Sequence, residues 1–206
     1  WSDGDDLTAD DVLFYVNDIK FYTPLDGVEP QPWDSMSFGG EPITVEKLDD
    51  YTVRFDFAVP AAGQFLNQRA TWGPYTLIAP SHYLKQFHPE YTAESEINAM
   101  AAEEGFDDWT QLFEQKYDYL RNPDMPVIFA WRPTSVGSEQ IFKMERNPYY
   151  WKVDTEGNQL PYIDQVFNNQ VESSEVINAQ ALSGAYDYQV RHIQFKNFTT
   201  LKENEE

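Results

Sequence analysis

The first twelve residues, WSDGDDLTADDV (residues 1–12), combine a polar turn with the start of a helix. Thr8 is placed to cap the free backbone N–H of Asp11, and the acids Asp10 and Asp11 suit the positive end of a helix dipole. An apolar face at helical spacing follows, formed by Val12, Tyr15, Val16 and Ile19. The stretch therefore predicts a turn and a capped helix that fades before Pro24, because proline disfavours helix in the residue preceding it.

The composition predicts a folded, strongly acidic protein. Of the 206 residues, 41% are hydrophobic and 16% aromatic, which is ample for a packed core, and no apolar run is long enough to cross a bilayer. Lys and Arg total 14 against 35 Asp and Glu, a formal charge of −21 that would repel a phosphate backbone. Nucleic acid is therefore excluded as a partner, and the acidity is interpreted as a solubility feature, with a cationic ligand as the alternative.

The middle of the chain predicts a hairpin followed by short helices. A proline- and glycine-rich loop over 24–42 carries Trp33, and it is either a binding loop or a lid that packs its own aromatic side chains. Strict alternation over 43–57, with a turn at 49–50, predicts a hairpin with one buried face. Helices are predicted over 60–70, over 81–87 with Ser81 as the cap, and over 92–118 with a break at Gly105.

The last third predicts strands around a capped helix. Alternation at 142–145 and an apolar run over 163–171 predict two strands. Ser173 or Ser174 caps a helix through Leu182, and Gly184 suits a left-handed exit from it. Residues 186–190 are predicted to return as a strand, which makes a strand–helix–strand unit. The fold class is therefore mixed, α+β or α/β.

The sequence contains no organised catalytic motif. It has no cysteine, no G-x-S-x-G turn and no phosphate-binding glycine loop. The three histidines, His82, His88 and His192, are interpreted as surface residues and not as metal ligands. The acidic stretches DGDD and DTEGN lack the ligand pattern of a calcium loop and are interpreted as turns. We therefore predict no catalytic residue, no metal and no cofactor.

Aromatic residues are the remaining candidates for a binding site, because rings line ligand clefts as well as cores. The aromatic candidates are Trp33, Trp72, Tyr75, Trp131, Tyr149, Tyr150 and Trp151, and most of them are interpreted as core. The candidate ligand contacts are Trp33, Trp72, Gly73, Tyr75 and Trp131. Trp72 stands in a turn after a helix, where a ring can face a cleft.

Four stretches in this order resemble one family. WSDGDDLTADDVLF (1–14) looks like a W-S-D/N-G-x-P-x-T-A-x-D-V-x-F signature, with Asp6 where proline is usual. VEKLDDYTVRFDF (45–57) is similar to the hairpin that follows it. ERNPYYWKVDTEGNQLPYIDQV (145–166) resembles the R-N-P-x-Y-W motif and its long continuation, and LSGAYDYQV (182–190) the A-G-E-x-D segment. The family is that of the extracytoplasmic solute-binding proteins of peptide-type ABC transporters, family 5, the dipeptide/oligopeptide-binding class.

The resemblance implies part of a periplasmic-binding-protein type II-like fold. Residues 1–136 would form the small extra α+β domain of the class, and 137–206 part of the first ligand-binding lobe, in an internal section of a longer parent. One stretch departs from the family: VIFAWRPTS (127–135) stands where T-G-P/A-Y-K is usual, with Phe129 in the place of the glycine.

The function implied by the resemblance is binding without catalysis. The parent would close two lobes on an oligopeptide and deliver it to ABC permease subunits, outside the cytoplasm and on a lipid anchor. An oligosaccharide ligand is the alternative within the family. A glycoside-acting extracellular enzyme and a pure interaction module are the alternatives outside it. Because part of the clamp would be missing, this section alone is expected to bind ligand poorly or not at all.

Overall fold

A computed structural model of the chain describes residues 1–25, 36–72 and 77–204. The α-helices are α1 Ala9–Leu13, α2 Ala62–Trp72, α3 Ser81–Leu84, α4 Glu94–Glu104, α5 Trp109–Tyr117, α6 Ser174–Leu182 and α7 Phe198–Glu203. The strands are β1 Ser37–Phe38, β2 Glu41–Pro42, β3 Thr44–Asp49, β4 Thr52–Asp56, β5 Trp131–Pro133, β6 Ile141–Arg146 and β7 Gln165–Asn169. No helix among these residues has the length and apolar character needed to cross a bilayer.

The first helix changes its winding after one turn. α1 continues as a π-helix over Phe14–Lys20, and its end is marked by the N–H of Phe21, which donates to the carbonyl of Val16 at 3.1 Å. The wider turn differs from the single α-helix that the apolar spacing predicted. Four side chains of the π-helix are buried, namely Phe14, Tyr15, Val16 and Ile19. Three of these side chains are consecutive, so this segment is buried over more than one face.

The main hydrophobic core lies between this helix, α4, α5 and the β3–β4 hairpin. Its fully buried side chains include Phe14, Ile19, Leu84, Ile97, Leu112 and Phe113. β3 pairs antiparallel with β4, as the alternation predicted, and the side chains of Val45 and Phe55 are partly buried against the core. Every fully buried member of this core lies at or before Phe113. The core is thus built from the first part of the chain.

Two predicted helices join at a glycine as expected. α4 ends at Gly105, whose φ of 86° is left-handed, and α5 begins after Asp108, whose carboxylate accepts from the N–H groups of Thr110 and Gln111. The apolar face predicted for α5, Trp109 with Leu112 and Phe113, is buried. The break allows α4 and α5 to pack against each other.

The second part of the chain contains a three-stranded antiparallel sheet in the order β5–β6–β7. α6 follows β7, and the hydroxyl of Ser173 accepts from the N–H of Val176, which confirms the predicted cap. The predicted strand over 186–190 is wrong, because these residues are in no strand. Tyr188 and Val190 are exposed, so their alternation has no buried face to pair with.

We expect Gly105→Ala to lower the free energy of unfolding by about 1 kcal/mol, because a Cβ is strained at this left-handed φ. Gly63→Ala in α2 is the matched control: the glycine lies in a helix and an added Cβ would meet nothing within 4 Å. That change should leave stability equal or raise it by up to about 1 kcal/mol. Urea unfolding of both variants measures the difference, and equal effects of the two would contradict the assignment of Gly105 as a helix terminator.

Candidate functional site

The carboxylate of Asp11 joins three segments at the start of the molecule. Asp11 is only 2% exposed. Its side chain accepts hydrogen bonds from the indole N–H of Trp1 at 3.0 Å, from the N–H of Thr8 at 3.0 Å and from the N–H of Ser81 at 2.9 Å. The prediction that Ser81 caps α3 is therefore wrong, since Ser81 is the first residue of that helix. The acceptor for its N–H is the carboxylate of Asp11, which comes from a distant part of the chain.

A further bond attaches the opening turn to the rest of the structure, because the hydroxyl of Ser2 accepts from the N–H of Val127 at 3.0 Å. Gly4 has a φ of 98°, and a Cβ there would lie 2.9 Å from the ring of Tyr149. Only glycine suits this left-handed conformation and this close approach. The motif residues thus place Trp1 and Tyr149 beside each other.

An aromatic-walled cavity of about 260 Å³ lies at this junction. Its wall is almost wholly apolar and consists of Trp1, Leu7, Ile78, Ile128, Asn147, Tyr149 and Trp151. A second cavity of about 90 Å³ shares Trp1, Ile78 and Ile128 with it. The two cavities bring the opening motif and the RNPYYW motif to one place. We refer to the larger one as the junction cavity.

The polar group in the junction cavity is held by the backbone. Asn147 is buried, its amide donates to the carbonyl of Phe129 at 3.0 Å, and its side-chain oxygen accepts from the N–H of Tyr149 at 2.9 Å. Tyr149 and Trp151 are 58% and 64% exposed. These two rings therefore do not belong to the core and stand at the open side of the cavity. Such a wall suits an apolar group or a ring that stacks on aromatic faces.

A small group of ionisable side chains lies beside the opening turn. His82 Nε2 lies 2.8 Å from Asp3 Oδ2 and 3.5 Å from Asp5 Oδ2. Partial burial works to raise the pKa of Asp3, but the hydrogen bonds from His82 and from the N–H of Asp5, together with the charge interaction with His82, lower it. One ligand atom from each of the three residues lies within 4.8 Å of the others, so they are the described residues that could hold a cation. His82 and Asp3 also satisfy each other through a hydrogen bond of 2.8 Å.

The predicted turn at DTEGN is present and is closed by hydrogen bonds. The carboxylate of Asp154 accepts from the N–H groups of Glu156 and Asn158, each at 2.8 Å, and from the hydroxyl of Tyr162. These bonds, that of Tyr162 above all, hold the pKa of Asp154 far below its ordinary value. Both carboxylate oxygens of Asp154 thus accept hydrogen bonds from donors within the loop, which is the arrangement of a hydrogen-bonded turn.

Of the predicted ligand contacts, Trp131 is the one whose side chain the structure describes. It lies in β5, is partly buried, and its indole N–H donates to the carbonyl of Ile163 at 2.9 Å. Trp33, the side chain of Trp72, Gly73 and Tyr75 lie outside the described residues. Trp131 does not line the junction cavity. The rings that do so, Trp1, Tyr149 and Trp151, were missed as a group, although their place in two family-like motifs was a usable signal.

One histidine prediction is wrong. His88 is completely buried, whereas His82 is partly exposed and His192 is exposed. His88 follows the helical turn Lys85–Phe87. Leu84 and Phe87, just before it in the chain, are buried in the main core. Nothing in the local sequence around position 88 distinguishes a buried histidine from a surface one.

A sequence comparison finds the same family over the whole chain. The family model described as "Bacterial extracellular solute-binding proteins, family 5 Middle" matches residues 1–206. A curated relative, the periplasmic alpha-galactoside-binding protein of Rhizobium meliloti (strain 1021), is 34% identical over 192 residues. This match covers 91% of the chain and 24% of the relative.

Solved structures of similar proteins have the same architecture. An oligopeptide-binding protein OppA is 45% identical with a TM-score of 0.84, and the match covers 99% of this chain and 32% of that one. The periplasmic binding protein MelB of Agrobacterium fabrum C58, in complex with stachyose, is 32% identical with a TM-score of 0.67, over 99% and 27% of the two chains. The mixed helix-and-sheet structure is thus part of a type II periplasmic-binding-protein fold, as the resemblance implied.

The chain spans about a third or less of the length of these relatives. Within that span, the family match, the motifs in their expected order and the fold agree. The chain therefore belongs to the bacterial extracellular solute-binding proteins of family 5, in the region that the family description calls its middle.

Proposed function

We propose that the protein carrying this chain binds an oligopeptide outside the cytoplasm and delivers it to the permease of an ABC transporter. The observation that carries the proposal is the match to the oligopeptide-binding protein OppA, at 45% identity and a TM-score of 0.84 over 99% of the chain. Binding proteins of this architecture close two lobes on their ligand. A lipid anchor and permease subunits as partners belong to the same proposal.

An oligosaccharide is the second candidate ligand. The alpha-galactoside-binding relative and the stachyose complex of MelB, at 34% and 32% identity, favour it. The exposed rings of Tyr149 and Trp151 at the junction cavity support this candidate in this chain, because sugar faces stack on exposed aromatic rings. The same rings also suit apolar peptide side chains.

An enzymatic role is disfavoured within this proposal. The relatives described above are named as binding proteins. The wall of the junction cavity includes no Asp or Glu side chain, so it supplies no carboxylate pair for acid–base chemistry. We infer that the protein binds its solute and releases it unchanged.

We propose the division into a small extra domain over 1–136 and part of a ligand-binding lobe over 137–206. The main core, built from residues up to Phe113, supports a separate first unit. β5 pairs with β6 across this division, so the sheet would join the two units at their boundary.

We also propose Trp33, Trp72, Gly73, Tyr75 and Trp131 as ligand contacts. Trp131 would present a ring face, because its N–H already donates to the carbonyl of Ile163. Tyr149 and Trp151 are further candidates through the junction cavity.

A thermal-shift screen of the full-length protein tests the function. Because a ligand that prefers the folded state stabilises it, a ligand at 100 times its Kd adds about 2.7 kcal/mol of stability. We expect members of a peptide library to raise the melting temperature by several degrees, and chromatography to recover them unchanged. Stabilisation by α-galactosides alone would favour the second candidate, and conversion of a stabilising compound into products would contradict the binding function.

A further inference from the structure

His88 is enclosed by aromatic rings in the main core. It is 0% exposed, and five rings lie around it with centroids 4.6–6.0 Å away. These rings belong to Phe14, Tyr22, Tyr91, Trp109 and Phe113. They come from the π-helix and the residues just after it, from the turn at 88–92 and from α5. The imidazole is therefore the point at which these three elements meet.

The hydrogen bonds of His88 assign one neutral tautomer to it. Nε2 lies 2.9 Å from the carbonyl of Asp18, which can only accept, so Nε2 carries the proton and donates. The N–H of Glu90 donates to Nδ1 at 3.3 Å, so Nδ1 carries no proton. A second proton could be placed only on Nδ1, where it would remove the acceptor of the Glu90 N–H.

The charged groups facing His88 are already engaged elsewhere. On the π-helix, the carboxylate of Asp18 accepts from the hydroxyl of Tyr91 at 2.6 Å. On the turn, the carboxylate of Glu90 accepts from the hydroxyl of Tyr22 at 3.2 Å, and Lys85 lies over the ring of Tyr91 at 5.0 Å. From α5, Trp109 and Phe113 present uncharged rings. No carboxylate oxygen among the described residues is paired with the imidazole.

We propose that His88 is an acid-sensitive latch that holds the turn at 88–92 against the π-helix. Protonation of Nδ1 breaks the bond from Glu90 and places a positive charge among five rings with no direct counter-charge. The turn itself is closed by the carbonyl of His88, which accepts from the N–H groups of Tyr91 and Thr92 at 3.0 Å. Protonation leaves the bond from Nε2 to the Asp18 carbonyl in place, so the turn is released by the buried charge together with the loss of the Glu90 bond within the turn.

The direction of the pH effect follows from the burial. Burial lowers the pKa of His88 in the folded protein, while the hydrogen bond to Asp18 and the nearby carboxylates partly oppose this. The folded state then binds fewer protons than the unfolded state, whose histidine has its ordinary pKa of 6.5. The stabilising contribution is complete above that ordinary pKa and is lost as the pH falls below it towards the folded pKa.

Two measurements on the 206-residue chain test the latch. In nuclear magnetic resonance, the His88 imidazole should titrate below pH 6.5, and the Glu90 amide, after correction for intrinsic exchange, should lose at least about tenfold of its protection between pH 7 and pH 5. The exposed residue His192 supplies the control, since the same loss of Glu90 protection should be seen in His192→Gln.

The matched variants are His88→Gln and His192→Gln. A glutamine keeps a donor and an acceptor but does not titrate. The unfolding midpoint in urea should fall between pH 7 and pH 5 in the wild type and in His192→Gln, and should fall much less in His88→Gln. An imidazole of His88 that titrates at or above pH 6.5 with the Glu90 amide still protected would overturn the proposal. The same titration decides the question if His88→Gln does not fold.

Discussion

Replacing Asp11 by alanine is expected to lower the free energy of unfolding by about 3 kcal/mol or more, because each buried donor left without an acceptor costs about 1–3 kcal/mol. The carboxylate accepts from Trp1, Thr8 and Ser81, and Asp11 is only 2% exposed. The change also separates the opening motif from the start of α3. Urea or thermal unfolding of the 206-residue chain measures the loss.

Asp10→Ala is the matched control for this change. Asp10 is the neighbouring acid in the first turn of α1, but it is exposed and pairs with Lys47 at 3.0 Å at the surface. Such a pair contributes about 0–1 kcal/mol, so the control should lose no more than that. Similar losses in the two variants would show that general charge, and not the buried hydrogen bonds of Asp11, stabilises this end of the molecule.

Phe113→Ala is expected to cost about 3–5 kcal/mol, the range found when a buried phenylalanine is truncated. Phe113 is 0% exposed and lies between the rings of His88 and Tyr117, at centroid distances of 5.7 and 6.1 Å. Its removal leaves a cavity where α5 meets the turn at 88–92. Calorimetric unfolding should show a clearly lower melting temperature.

Phe195→Ala serves as the control, because Phe195 is 88% exposed and is not part of the main core. Its removal should change the stability by no more than about 0.5 kcal/mol. If Phe113→Ala were equally mild, the core between α4, α5 and the π-helix would not be what stabilises the first part of the chain.

Local patterns in the sequence were sufficient for much of the fold. The β3–β4 hairpin follows from strict alternation, and the break between α4 and α5 follows from Gly105. The cap of α6 follows from Ser173 and the residues just after it. In each case the residues that determine the structure are close together in the chain. The local rules for strand alternation, helix capping and helix termination are therefore sufficient to predict these elements.

Long-range contacts account for the errors. Asp11 bonds to Ser81, 70 positions away, and His88 bonds to the carbonyl of Asp18, also 70 positions away. In both pairs, a residue is buried because a segment far away in the chain packs against it. Local periodicity does not predict which distant segments pack together. The prediction of a strand over 186–190 was wrong for the same reason. A strand needs the edge of another strand to pair with, and alternation in the sequence does not show whether one is present.

The candidate site was predicted in part. The opening motif and the RNPYYW motif were recognised as family features, but their meeting around Tyr149 and Gly4 could be seen only in the structure. Trp131 was proposed as a ligand contact because of its aromatic ring, and the structure shows that its indole N–H donates to the carbonyl of Ile163. Aromatic content alone does not tell a ring that faces a cleft from one that ties two segments together.

Isothermal titration calorimetry of the full-length protein with pentapeptides and with stachyose tests the central claim most directly. We predict saturable binding of one ligand per protein to one of these classes, with the ligand recovered unchanged, and a much weaker response from the 206-residue chain alone. An absence of binding to both classes, or chemical conversion of either ligand, would contradict the assignment of this protein as a solute-binding component of a transporter.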